Sequence, residues 1–157
     1  MRLWRIATET RKYPATDLSG NGAALSPGRW NSESESVVYC APTIAVAVLE
    51  TAAHIDDDGL PLNKYLVAIE VPDSVWKTRV EQSVEALPRQ WDAIPAGMAS
   101  VHVGSKWLAS KMSAILLVPS VIVPEEFAAL INPAHPEVGM ITAEVVRKFE
   151  YNRLFRR

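Results

Sequence analysis

The chain has 157 residues, with 16 basic against 18 acidic side chains and a formal net charge of −2. With 48% apolar and 22% charged residues, it has the balance of an ordinary folded domain, which excludes a disordered chain, while its near-neutral charge excludes global steering toward nucleic acid. At this length a single domain buries roughly 70% of its unfolded surface, so one domain over residues 1–157 is expected, with no need of a metal or disulfide.

Leu3-Trp4-Arg5-Ile6-Ala7 reads as a first strand, and the N-terminus has no apolar run like that of a signal peptide. Residues 14–34, rich in Ser, Gly, Asn and Pro, read as a long ordered loop. A short strand over residues 36–40 ends at Ala41-Pro42, and its Cys40 is the lone cysteine of the chain. That fits a reducing cytoplasm and excludes a disulfide scaffold. Thr43 is the expected N-cap of a helix over residues 44–53, apolar on nearly every face and so expected to be buried on most sides. A strand over residues 64–71 follows. A more polar stretch comes next, with loops around Pro88, Pro95 and Gly97, then a helix near residues 105–112. Residues 113–118 read as an apolar strand that residues 120–123 continue past Pro119. A turn follows at 131–136, a last strand at 145–149 and a basic tail. The longest apolar stretches, at 44–49 and 115–119, are far short of the ~20 residues that cross a bilayer. Strands and helices mixed in this order predict an α+β domain with a mixed or antiparallel sheet.

Glu50 is the most informative residue. It stands among Val46, Ala47, Val48, Leu49, Ala52 and Ala53, with no Lys or Arg three or four positions away. Such a carboxylate must meet solvent, find a distant cation or hold its proton more tightly. Either it faces water from an otherwise buried helix or it stands in a cleft with Arg29 as compensating charge, and periodicity leaves both open. Pro27-Gly28-Arg29-Trp30-Asn31 offers close backbone approach, a planar guanidinium for phosphate, and stacking and amide contacts; the same residues also make an ordinary surface turn. Tyr39 reads as a core aromatic or a ligand-facing ring. Ser120, between Pro119 and Val121, lacks the Gly-x-Ser-x-Gly surroundings of a hydrolase nucleophile. His54, His102 and His135 are widely spaced and Asp56-Asp57-Asp58 lacks calcium-loop spacing, so no metal site is expected. Neither Gly-x-x-x-x-Gly-Lys nor Gly-x-Gly-x-x-Gly occurs. The tail carries Arg147, Lys148, Arg153, Arg156 and Arg157 among Phe149, Tyr151 and Phe155, either a solvated segment or a contact for nucleic acid or an acidic partner.

Leu3-Trp4-Arg5-Ile6, Gly28-Arg29-Trp30-Asn31, Val37-Val38-Tyr39-Cys40 and Ala45 to Glu50 form an ordered set. It continues through Gly104-Ser105-Lys106-Trp107-Leu108, Leu117-Val118-Pro119-Ser120, Ile131-Asn132-Pro133-Ala134-His135-Pro136 and Tyr151-Asn152-Arg153-Leu154-Phe155. The set covers almost the whole chain and resembles the RES domain, a bacterial toxin family named for an Arg, a Glu and a Ser, which fall here on Arg29, Glu50 and Ser120. One departure is Ala128, at a place where family members often carry Asn.

The resemblance implies an ADP-ribosyltransferase-like α+β fold, with a split mixed or antiparallel sheet and flanking helices that grip NAD. It implies the toxin of a type II toxin–antitoxin system, partnered by an Xre-type helix-turn-helix antitoxin, with room for a homodimer inside that complex. No membrane or direct nucleic-acid contact is expected. The implied activity is degradation of NAD+ at the nicotinamide–ribose bond by hydrolysis or phosphorolysis, with ADP-ribosylation of a host protein as the alternative. NAD+ is then a substrate, and no prosthetic group is expected. Arg29, Tyr39, Glu50 and Ser120 form the implied catalytic set; Arg5, Trp30, Asn31 and Asn132 join Arg29, Tyr39 and Ser120 in lining the NAD pocket. Glu50 would stabilise the oxocarbenium-like state, Arg29 clamp pyrophosphate or ribose, Tyr39 stack on nicotinamide, and Ser120 hydrogen-bond the nicotinamide amide or a ribose hydroxyl. A binding module that uses the basic tail on nucleic acid is the rival from another class. It would show steep salt dependence and indifference to Arg29 and Glu50.

Overall fold

Two short sheets share the strands. In the computed structural model, which describes residues 1–55 and 59–156, chain order is β1 (Arg2–Thr8), α1 (Asn21–Leu25), β2 (Val38–Cys40), α2 (Ile44–Ala52), β3 (Lys64–Glu70), α3 (Asp73–Lys77), β4 (Val80–Glu81), α4 (Met98–Ser110), β5 (Ile115–Pro119), β6 (Phe127–Ile131), β7 (Thr142–Phe149) and α5 (Tyr151–Phe155). The first sheet has the order β1-β3-β7 and is antiparallel throughout. The second has the order β2-β6-β5-β4, with β6 antiparallel to both neighbours and β4 parallel to β5. Trp4 and Ala41 stitch the two sheets with reciprocal backbone bonds of 2.8 Å. This is an α+β fold with a split mixed sheet, as the resemblance implies.

Alternation along the strands sorts the core into layers. Leu3 and Ala7 of β1 and Val67 and Ile69 of β3 face Val38, Cys40, Ile115, Leu117 and Ile131 of the second sheet in one central core. On the outer side of the first sheet, Ile6 and Leu66 meet Val46 and Ala47 of α2 and Tyr151 of α5. On the outer side of the second sheet, Leu116, Val118, Ala128 and Leu130 are covered by Trp30, Trp91, Trp107 and Leu108. With both faces covered, β5 is buried at every position, which explains its unbroken apolar run. Each aliphatic side chain so buried contributes ~1.5–3 kcal/mol.

Several expectations need correction. α2 is capped by Thr43, whose side chain accepts from the Val46 amide, but it buries only Val46 and Ala47, while Ile44 and Leu49 are 37% and 38% exposed. Val46 and Ala47 pack on Ile6, Leu66 and Tyr151, so one face is covered and not most of them. Residues 120–123 form a turn instead of extending β5, because the Ser120 hydroxyl accepts the Ile122 and Val123 amides. The helix expected near 105–112 starts at Met98, and β6 was not foreseen. The loop at 14–34 contains α1, and the tail forms α5. The Asp56-Asp57-Asp58 run and Arg157 lie outside the described residues. No helix among the described residues is long and apolar enough to cross a membrane.

Candidate active site

β2 and β5 both run antiparallel to β6 and therefore end at the same edge of their sheet. α2 leaves β2 at that edge and Ser120 leaves β5 there, so two residues 70 positions apart meet: the Ser120 hydroxyl donates to Glu50 Oε1 at 2.5 Å. Ser120 Oγ in turn accepts the Ile122 and Val123 amides, at 3.1 Å each, which fixes the hydroxyl so that its proton points at the carboxylate. Glu50 is half-buried on an otherwise apolar helix. Of the two readings open from sequence, solvent or an ion pair, neither describes it fully. Its partner is a hydroxyl, and no salt bridge to Arg29 or any other cation forms among the described residues.

Arg29 is anchored elsewhere. Its Nη1 donates to the carbonyls of Trp91 (3.0 Å) and Ala93 (2.8 Å). Guanidinium has five N–H donors in a fork, and no other bond from Arg29 forms among the described residues, so the rest of the fork keeps its capacity for an anion. The turn that presents Arg29 is held from beneath by Tyr39. Its hydroxyl accepts the Trp30 amide at 3.0 Å and donates to Asn31 Oδ1 at 2.8 Å. Gly28 lies flat on the Tyr39 ring, where an added Cβ would sit 2.7 Å from ring carbon Cζ. Burial pushes the Tyr39 phenol well above its ordinary value, against the pull of the Trp30 amide and the Arg29 charge, so the ring is neutral. With its hydroxyl committed on both sides, Tyr39 can meet a ligand only through its ring.

The remaining candidates fall in three places. Trp30 is 3% exposed and stacks on Trp91 at 6.1 Å, which makes it a core side chain. Asn31, 1% exposed, accepts the Gly28 amide and the Tyr39 hydroxyl and donates to the carbonyls of Ala23, Ser32 and Glu35. Asn132, also 1% exposed, donates to Leu108 O and accepts the Ala134 amide. Both amides are spent on the fold, so the structure turns them from pocket lining into supports. Arg5 shares its face of β1 with Leu3 and Ala7, whereas Trp4 and Ile6 point to the layer that holds α2. Burial pushes the neighbouring Cys40 thiol up to about 12, with the Arg5 charge pulling the other way.

Sequence reasoning missed the groups that hold Arg29, the carbonyls of Trp91 and Ala93, which leave no side-chain signal. It also missed Glu35, whose Oε2 accepts the Ser32 amide (2.7 Å) and the Ser105 hydroxyl (2.6 Å) and so ties the turn to α4. One signal was available. Gly104 sits mid-helix at a cost of ~1 kcal/mol against Ala, and a Cβ there would lie 1.7 Å from Trp30 O. Among the described residues no group of three or more His, Cys, Asp or Glu is placed to hold a metal ion.

Residues 2–153 match the family model of the RES domain. The chain is 53% identical over 149 residues to the Prs ADP-ribosylating toxin of Sphingobium sp. (strain YBL2), covering 95% of this chain and 92% of that protein. It is 37% identical over 135 residues to Toxin Res of Yersinia enterocolitica, covering 86% of each. The fold resembles a chain in the crystal structure of the M. tuberculosis MbcT–MbcA toxin–antitoxin complex, with a TM-score of 0.65 over 93% of this chain and 84% of that one, at 17% identity.

Proposed function

The chain belongs to the RES domain family, and from that premise we propose that it is the toxin of a toxin–antitoxin pair and acts by cleaving the nicotinamide–ribose bond of NAD+. The observation that carries this reading is the carboxylate of Glu50, held at Oε1 by the Ser120 hydroxyl at 2.5 Å. As the bond from the ribose C1′ to nicotinamide breaks, its electron pair leaves with nicotinamide and positive charge builds on the ribose. A carboxylate beside C1′ stabilises that charge, and it acts best when already oriented. Ser120 supplies the orientation: with Oε1 occupied, Oε2 remains for the ribose hydroxyls or the incoming acceptor. When the acceptor is water, its oxygen bonds to C1′ and its proton passes to solvent.

Arg29, pinned through one nitrogen to Trp91 and Ala93, turns its remaining donors to the pyrophosphate. Tyr39 contributes its neutral ring for stacking on nicotinamide. Ser120 is a positioning residue here and not a nucleophile. A second reading is favoured by the name of the Sphingobium relative, an ADP-ribosylating toxin: the same bond breaks, and a protein side chain takes the place of water or phosphate. An antitoxin, of the Xre type on the family resemblance, restrains the enzyme.

The test is total cellular NAD after brief induction of the wild type and of Glu50→Gln. Gln keeps an oxygen for Ser120 and removes the charge, so turnover should fall at least about a hundredfold with the fold intact. NAD loss at the wild-type rate in Glu50→Gln overturns the mechanism. Isotope-labelled NAD then sorts the acceptor: free ADP-ribose reports hydrolysis, a phosphorylated product reports phosphorolysis, and label on a discrete protein reports transfer.

A further inference from the structure

We propose that Tyr151 is a positioning residue for Glu50 and acts on it through a hydroxyl pair with Thr51. The role rests on the reading of Glu50 as the reacting carboxylate. It gives a use to α5, which the candidate active site leaves idle although Tyr151-Asn152-Arg153-Leu154-Phe155 belongs to the ordered set of stretches in the sequence.

Positions four apart share one face of a helix. On α2, Glu50 stands one turn beyond Val46 and Thr51 one turn beyond Ala47, and Val46 and Ala47 are the two buried residues of that helix. Both lie in one buried cluster with Ile6, Leu66 and Tyr151. A rotation of α2 that carries Thr51 therefore carries Glu50 with it. The Thr51 hydroxyl gives its proton to Ala47 O at 2.7 Å and to Val48 O at 3.1 Å. Its oxygen keeps lone pairs that are open to a donor.

The donor is Tyr151, 2% exposed and the buried residue of α5. Its ring stands edge-on to Phe149 of β7, with centroids 5.0 Å apart and planes at 77°, so the first sheet fixes it and not α5 alone. Burial raises the phenol pKa, and the Thr51 hydroxyl beside it pulls the other way. Yet the phenol oxygen is buried without a hydrogen-bond partner among the described residues. Packing does not call for that atom, since phenylalanine would fill the same space and leave no buried hydroxyl unmatched. The two groups supply its use: a donor with its proton free stands beside an acceptor with lone pairs free. A small approach of α2 toward Tyr151 closes the hydrogen bond and fixes the turn of α2 that holds Glu50. Ser120 orients the carboxylate at its oxygen, and the hydroxyl pair sets the helix that carries it.

The test is steady-state turnover of NAD+ by the full chain, with thermal midpoints, in wild type, Tyr151→Phe, Thr51→Val and the double variant. Tyr151→Phe keeps the ring, so its midpoint should equal or exceed that of wild type. Its kcat should nevertheless fall about three- to tenfold, the worth of one hydrogen bond, with KM within about twofold. Thr51→Val should lower kcat alike, and the double variant should be no slower than the slower single one, because both changes remove one bond. A wild-type kcat in Tyr151→Phe overturns the proposal, as do losses that multiply in the double variant or that follow a fall in the midpoint. Growth after induction, followed beside turnover, separates this proposal from the NAD+ reading. NAD+ loss at one rate in all four chains overturns the proposal and leaves that reading standing. Growth arrest without NAD+ loss overturns the reading; the four chains are then ranked by arrest, where the same non-additive order upholds the hydroxyl pair and equal arrest overturns it. A wild type that neither consumes NAD+ nor arrests growth overturns both.

Discussion

On the Arg29 side of the candidate active site, Asn31 alone makes five hydrogen bonds, Tyr39 is engaged as donor and acceptor, and Glu35 reaches across to α4. On the Glu50 side a half-buried carboxylate is held by a single hydroxyl, from a helix with two buried residues. The first wall has all its buried polar groups matched, which makes a rigid platform because any motion would strand a donor or acceptor. The second wall leaves its carboxylate open at one oxygen. A group that must stabilise charge during a reaction cannot have that capacity consumed by the fold. Rigidity and reactivity are thus divided between the turn that carries Arg29 and the helix that carries Glu50.

The division is broken most severely at Asn31. Asn31→Ala leaves two donors and an acceptor cluster unmatched in a site that is 1% exposed, and the expected loss of stability is about 3 kcal/mol, read as a shift in the denaturation midpoint at constant slope. Activity should fall with it, since the Arg29 turn loses its attachment. A variant within 0.5 kcal/mol of wild type, a margin typical of neutral surface changes, shows that the network is decorative and that the contrast between the walls is unfounded. Gly104→Ala probes the same wall from α4. Its methyl group meets the Trp30 carbonyl, so a loss of ~1–3 kcal/mol is expected from overpacking.

Ser120→Ala sharpens the contrast from the other side. The hydroxyl gives one proton to Glu50 and receives two amides of an exposed-side turn, so stability should drop by no more than ~1 kcal/mol. Catalysis should drop about tenfold or more in kcat with KM within about twofold, because the carboxylate loses orientation and not the means of binding substrate. Ser120→Thr keeps the hydroxyl and should recover most of the rate. Equal losses in Ala and Thr variants, or a loss confined to KM, remove the positioning role.

Much of this arrangement was legible in the residues, and the failures have physical causes. β1, β3 and β5 announce themselves by apolar runs between breakers, β7 only over residues 145–149, and Thr43 is the cap that its position before Ile44 predicts. β6 escaped because Phe127-Ala128-Ala129-Leu130-Ile131, covered on both faces, shows no alternation. α4 starts at Met98, earlier than its pattern suggests, because Val101, Val103 and Gly104 weaken its helical signal, and a side chain at Gly104 would meet the Trp30 carbonyl. The residue types of the site could be named, but their partners could not. The sequence offers Arg29 as a partner for Glu50, whereas the partner is Ser120, because β2 and β5 run in the same direction and end together. That is a property of topology, carried by β6, which the sequence hid, as it hid the two-residue β4.

The smallest expected effect tests whether α2 is as lightly held as its single buried face implies. Thr43 Oγ1 accepts the Val46 amide at 3.2 Å, so Thr43→Ala should cost ~1 kcal/mol. That is a large share of what a short, one-sided helix has to hold it. The same variant should leave kcat near the wild-type value under conditions where the fold is saturated, since the cap lies at the opposite end of the helix from Glu50. Hydrogen exchange along α2 would locate the loss: faster exchange confined to the first turn is the outcome for a frayed cap. Faster exchange that reaches Glu50, together with a fall in kcat, would show that the carboxylate is placed by the whole helix and not by Ser120 alone, and the two walls would then differ in degree and not in kind.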